Sequence, residues 1–179
     1  MTIQLPHPPT FKSIPKLTDW GNYRVHISWA YLKEALAEYK KNYNFDFGDS
    51  DFQRAHVWTE EQQVAYVEYR LRGGISGGDI LTNCTGWNGS MDGQMVLVDG
   101  KQRLNAVLRF LNDEIKAFGY FRKEYGDRLS SGSGPNFYWH VNDLPDHKAV
   151  LRWYLEINAG GTVHTADEIE KVRNLLATL

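Results

Sequence analysis

At 179 residues the chain is long enough for one domain with a real core, and its 42% hydrophobic and 13% aromatic content excludes a disordered chain. A formal net charge of -2 gives no global attraction to nucleic acid or to an anionic membrane. Cys84 is the only cysteine, so no intrachain disulfide forms, and no apolar run approaches the roughly 20 residues that span a bilayer. A cytoplasmic protein without membrane contact is the expectation.

Residues 1–27 read as an extended arm, with four prolines between Met1 and Pro15, and residues 28–179 as one domain. Ser28 is placed to cap a helix through about Lys41, with Trp29, Leu32, Leu36 and Tyr39 on one face. Asn42 to Ser50 is a polar, aromatic loop, and Asp51 to Trp58 has no helical period. Thr59 with Gln62 has the pattern of a capping box. The helix it opens turns Val64, Val67 and Leu71 inward and stops at Gly73-Gly74.

A glycine-rich turn through Gly78 leads into a strand from Asp79 to Asn83. Asn88-Gly89 and Asp92-Gly93 mark a hairpin-like connection. Met95 to Val98 is an apolar strand that stops at Asp99-Gly100-Lys101-Gln102-Arg103, and a helix follows with Leu104, Val107, Leu108 and Leu111 at helical spacing. Ser130 to Pro135 is a low-complexity loop before a short strand at Phe137 to Val141. A helix from Asp146 to Ile157 ends at Asn158-Ala159-Gly160-Gly161, and Thr165 with Glu168 makes a second capping-box pattern before the last helix. The sum is a single α+β domain in which a small mixed sheet is surrounded by several helices.

The turn after Val98 carries the densest chemistry. The first turn of a helix presents backbone N–H groups and the positive end of the helix dipole, a favourable place for phosphate. Gly100 lets the backbone turn tightly and a ligand approach closely. Lys101, Gln102 and Arg103 occupy that first turn, and Arg103 can add a bidentate phosphate contact. Asp99 could hold a magnesium ion, orient water, or simply cap the helix, with Arg103 as a surface ion-pair residue. Gln53 and Arg54 sit between Phe52 and Trp58, where polar groups need partners: a ligand, Asp99 or another acid. Asn158, Gly160, Gly161 and Thr162 form either a helix C-cap or a backbone nest for an anion.

Other chemistry falls away. There is no Gly-x-x-x-x-Gly-Lys-Ser/Thr phosphate loop, no dinucleotide glycine fingerprint, no paired-cysteine zinc pattern, no Gly-x-Ser-x-Gly turn and no His-Glu-x-x-His. The six histidines are scattered. From Lys101 to Arg128, seven basic residues face four acidic ones. That permits a local nucleic-acid contact and equally describes a solvated surface.

Three segments in this order resemble the N-terminal domain of GmrSD-type modification-dependent restriction proteins. They are Asp51-Phe52-Gln53-Arg54-x-x-Val57-Trp58, Val98-Asp99-Gly100-Lys101-Gln102-Arg103-Leu104, and Ile157-Asn158-x-Gly160-Gly161-Thr162 with Glu168 after it. The resemblance spans about residues 45 to 175 and implies a ParB/sulfiredoxin-like superfold. It implies further that the central motif, usually Asp-Gly-Gln-Gln-Arg, is a nucleoside-triphosphate site whose hydrolysis regulates DNA restriction. Carried over, Asp99, Gly100, Gln102 and Arg103 form the site with Gln53 and Arg54 beside them; Asn158, Gly160, Gly161 and Thr162 close it.

Lys101 replaces the usual glutamine, a change compatible with phosphate. The catalytic set implied is Asp99, Arg103, Gln53 and Arg54, with Asp99 holding Mg²⁺ that accompanies the triphosphate. The His-Asn-His nuclease domain of the restriction proteins has no counterpart here. Sulfiredoxin chemistry is excluded, because its phosphate turn needs a cysteine and Cys84 lies fifteen residues before Asp99. The expected function is a triphosphate-binding domain of a restriction or defence system, with hydrolysis left open. Expected partners are the triphosphate, DNA, and a separate nuclease or host defence protein. The alternatives are a small ParB-like nuclease acting on DNA and a non-catalytic, phage-borne regulator.

Overall fold

The computed structural model describes residues 6–8, 10–15, 23–45, 58–91, 93–130, 132, 134–159 and 166–178, with backbone alone for 159 and 166–169. Among the described residues there are four strands: β1 (Tyr23–Ser28), β2 (Asp79–Cys84), β3 (Met95–Asp99) and β4 (Asn136–Asn142). The described helices that accompany them are α1 (Leu32–Tyr43), α2 (Glu60–Leu71), α3 (Lys101–Leu111), α4 (His147–Ala159) and α5 (Ala166–Thr178). The expected α+β class and small mixed sheet are both present.

The strands lie in the order β1-β4-β2-β3. β1 runs antiparallel to β4, β4 parallel to β2, and β2 antiparallel to β3. The β2–β3 pair is a hairpin, as the Asn-Gly and Asp-Gly signals predict. The parallel β2–β4 pair needs a crossover, and α3 lies within it.

β1 corrects the reading of residues 1–27 as an arm, because its last residues are the sheet's edge strand. The signal was present: Val25 and Ile27 turn into the core, while Arg24 and His26 alternate with them and are exposed. Ser28 ends that strand and makes no side-chain cap; a single 3₁₀ turn, Trp29–Tyr31, separates it from α1. The first capping box holds in full. Thr59 Oγ1 accepts from the Gln62 N–H at 3.3 Å and Gln62 Oε1 from the Thr59 N–H at 2.9 Å. α2 ends where Gly73 takes a φ of 86°. α5 stands where the second capping-box pattern places a helix, although Thr165 lies outside the described residues.

Helices cover both faces. On one face, Ile80, Leu97, Phe137 and Trp139 meet Leu32, Val67, Leu104 and Val107 from α1, α2 and α3. On the other, Val98 and Leu81 meet Val150, Leu151, Tyr154 and Val172 from α4 and α5. The aromatic content is concentrated in the first cluster, where Tyr39, Phe45 and Trp139 stack at centroid distances of 5.2 to 6.4 Å.

α2 carries two buried polar side chains, and neither was expected from periodicity. Gln63 is 2% exposed and Arg70 is 5% exposed. Gln63 donates to the Trp58 carbonyl at 3.1 Å and accepts from Arg109 at 2.8 Å. Arg109 also pairs with Glu60 at 2.8 Å, so this network ties α2 to α3. The register places the starts of β2 and β4 and the end of β3 at one end of the sheet. That end carries the Gly100 turn.

Candidate functional site

β3 delivers Asp99 to the sheet end, Gly100 reverses the chain, and α3 begins at Lys101. Gly100 is the residue before the helix, in left-handed conformation with φ 109°. A Cβ there would stand 2.5 Å from Ile80 Cδ1, so glycine is required by conformation and by packing. The reading of Asp99 as the helix cap is therefore corrected: the capping position belongs to a glycine, which offers no side-chain oxygen to the first-turn amides.

Asp99 instead pairs with Arg103. Arg103 Nη2 donates to Asp99 Oδ2 at 2.5 Å across one helical turn, with the two side chains 22% and 43% exposed. Among the described residues Arg103 Nε is buried without a hydrogen-bond partner. The guanidinium lies between two glycines. A Cβ on Gly100 would stand 3.4 Å from its Nη2, and one on Gly77 would stand 3.5 Å from its Cδ. Gly77, at φ 68°, belongs to the turn that starts β2.

Tyr66 fixes that second turn by donating its O–H to the Gly77 carbonyl at 2.7 Å. Burial pushes its phenol up to about 12, outweighing the downward pull of Arg70 and Arg103. Tyr66 therefore remains a neutral donor between two guanidiniums. Gln102 Oε1 accepts from the Trp58 N–H at 3.3 Å. The side chain of Gln102 thus reaches the chain just after the Gln53-Arg54 segment.

Gln53 and Arg54 lie outside the described residues, as do Gly160, Gly161 and Thr162. Asn158 is described, and it turns back on its own helix: Nδ2 donates to the Tyr154 carbonyl at 2.7 Å. Asp99, Gly100, Lys101, Gln102 and Arg103 form one continuous turn. Sequence reasoning missed the pair between His140 Nε2 and Asp79 Oδ1, 2.7 Å apart across β4 and β2 at the same end of the sheet. Nothing in residue spacing marks it, because the two residues are 61 positions apart. Among the described residues no group of three or more His, Cys, Asp or Glu side chains could hold a metal ion.

The sequence model of the family described as GmrSD restriction endonuclease, N-terminal domain, matches residues 32–144. The chain belongs to this family. Its domain is one related to DNA restriction and defence systems. The matched stretch runs from α1 through β4 and contains Gln53, Arg54 and the whole Asp99 to Arg103 turn. It ends before Asn158, so the third segment lies outside what GmrSD membership supports. No curated protein and no solved structure matches the chain. Among the described residues no helix is long and apolar enough to cross a membrane.

Proposed function

We propose that this GmrSD-type domain binds a nucleoside triphosphate with Mg²⁺ at the Asp99 to Arg103 turn. The observation that carries the reading is the left-handed Gly100 at the head of α3 with Arg103 folded back into the same turn. A glycine cap lets phosphate oxygens approach the first-turn amides, and the helix dipole favours their charge. Arg103 supplies a fixed positive charge; the Asp99 carboxylate engages one of its donors and orients the rest.

Asp99 suits a shared magnesium ion. Mg²⁺ in nucleotide sites commonly takes one or two carboxylates and completes its shell with phosphate and water. Asp99 Oδ2 accepts from Arg103, so this residue can offer the metal an oxygen while the triphosphate brings the remainder. Gln53 and Arg54 stand five and four positions before Trp58, whose N–H is bound by Gln102 in the first turn of α3. In this reading they position water and neutralise charge developing during phosphoryl transfer. Hydrolysis would couple nucleotide state to a restriction partner, a nuclease or DNA itself.

The test is a thermal-shift panel of ATP, GTP, CTP and UTP with Mg²⁺, since a ligand that binds the native state raises its melting temperature. One of the four raises it in the unmodified protein. Arg103→Ala abolishes the rise, and Asp99→Ala removes its dependence on Mg²⁺. Equal shifts in all three proteins, or none with any nucleotide, would refute the reading.

A further inference from the structure

The chain that leaves α3 builds a second surface. Ala117 and Tyr120 exchange backbone hydrogen bonds at 2.9 and 3.0 Å, which closes a two-residue turn on Phe118 and Gly119. Phe118 has φ 51° and Gly119 φ 84°. Two left-handed residues in a row suit asparagine, aspartate or glycine, and a bulky aromatic at the first is a conformational outlier. Its neighbours hold it there. Glu68 Oε1 accepts from the Phe118 N–H at 2.7 Å, and Tyr125 donates its O–H to the Ala117 carbonyl at 2.7 Å.

Burial does not account for that aromatic. Phe118 is 47% exposed and Tyr120 57% exposed, whereas an aromatic stabilises a fold by leaving water. Backbone strain that the surroundings enforce clusters where ligands are held. Three exposed cations, Lys116, Arg122 and Lys123, flank the two rings in sequence. Lys116 Nζ lies 4.8 Å and Lys123 Nζ 5.6 Å from the centroid of the Phe121 ring. Among the described residues none of the three pairs with a carboxylate. The acids beside them are engaged by backbone: Asp113 accepts from the Lys123 N–H at 2.8 Å, and Glu124 from the Phe121 N–H at 2.7 Å. With Glu68 these carboxylates offset the local positive charge, so the rings carry most of the surface's character.

Exposed rings with unpaired cations between them point to one kind of occupant. Lysine is depleted at protein–protein interfaces. Single-stranded nucleic acid is held by rings on which bases stack and by cations that follow its phosphates. We propose that the hairpin of residues 116–123 is a binding surface for single-stranded nucleic acid. Phe118 and Tyr120 stack bases, and Lys116, Arg122 and Lys123 meet the backbone phosphates. The surface stands apart from the triphosphate reading and uses none of the Asp99 to Arg103 residues.

The test is fluorescence anisotropy of labelled oligothymidylate, oligouridylate and a DNA duplex, each titrated with the unmodified protein at low salt. Saturable binding of at least one single strand is expected, tighter than that of the duplex, and the tighter of the two strands identifies the sugar. Phe118→Asn, which suits a left-handed φ, weakens that binding about tenfold. Tyr120→Leu weakens it to a similar degree and leaves the turn residues in place. Lys123→Gln lowers the slope of log affinity against log salt by about 0.7. Arg103→Ala binds the strand unchanged, which separates this surface from the triphosphate turn. The proposal is overturned by no saturable single-strand binding, by a duplex bound as tightly, or by full affinity in Phe118→Asn or Tyr120→Leu. An unchanged salt slope in Lys123→Gln, or lost binding in Arg103→Ala, would also overturn it. Tyr120→Leu decides the matter even if Phe118→Asn does not fold.

Discussion

At the Cys84 end of the sheet, the turn after β2 receives a carboxylate from the chain itself. Asp143 Oδ1 accepts from the Gly86 and Trp87 amides at 2.8 and 3.2 Å, and Oδ2 from the Asn88 amide and side chain at 3.2 and 3.0 Å. At the other end, the residue before α3 is Gly100, with no side-chain oxygen to offer. Both turns gather backbone N–H groups of the kind that attract anions. One is closed by an internal anion, so its role is completed within the fold. The other has a cationic side chain added, Arg103, where a capping oxygen would ordinarily stand. An internally satisfied nest fastens the structure; a glycine-capped helix start beside arginine is where we propose that charge from outside is received.

Substitutions at the two ends can break this contrast or sharpen it. The largest effect is expected at Gly100→Ala, which places a side chain at φ 109° and against Ile80. Conformational strain and overpacking together cost about 2–4 kcal/mol, read by urea denaturation. Asp143→Ala strips four donors of their shared carboxylate at the closed end. A loss of about 2–3 kcal/mol is expected, with faster amide exchange at Gly86 to Asn88 and no change in nucleotide response.

Tyr66→Phe removes the bond to Gly77 at the open end and costs about 1 kcal/mol. It also alters the alkaline limb. The folded phenol ionises at about 12 and an unfolded tyrosine near 10, so folding favours the neutral form. That contribution is fully present below pH 10 and is lost as pH rises toward 12. Melting temperatures measured across this window fall less steeply in Tyr66→Phe. Arg103→Ala has the smallest effect on stability, under about 1 kcal/mol, because its pair with Asp99 is partly exposed. Its consequence falls on binding, which is the asymmetry the contrast between the two ends requires.

Elements with a local signal were legible in the sequence. The Thr59–Gln62 box, the Gly73 stop, the Asn88-Gly89 turn and the strand-glycine-helix unit at Gly100 each rest on residues a few positions apart. β1 was missed in a segment dominated by proline, although its alternation was intact from Tyr23 to Ser28. The long-range polar contacts were not legible. Arg70 sits on a helix where periodicity marks only apolar residues, and its carbonyl partner Asn136 is 66 positions away. His140 and Asp79 meet only because β4 returns parallel to β2. Asp99 was read as metal ligand, water-orienting group or cap, and only the backbone shows that Gly100 takes the capping position.

The central claim is that the open turn is a triphosphate site. Isothermal titration of each Mg²⁺-nucleoside triphosphate into the unmodified protein, Arg103→Ala and Asp143→Asn tests it most directly. The account predicts saturable binding of at least one triphosphate to the unmodified protein and to Asp143→Asn, and none to Arg103→Ala. Equal binding to all three, or no heat with any of the four nucleotides, would contradict it.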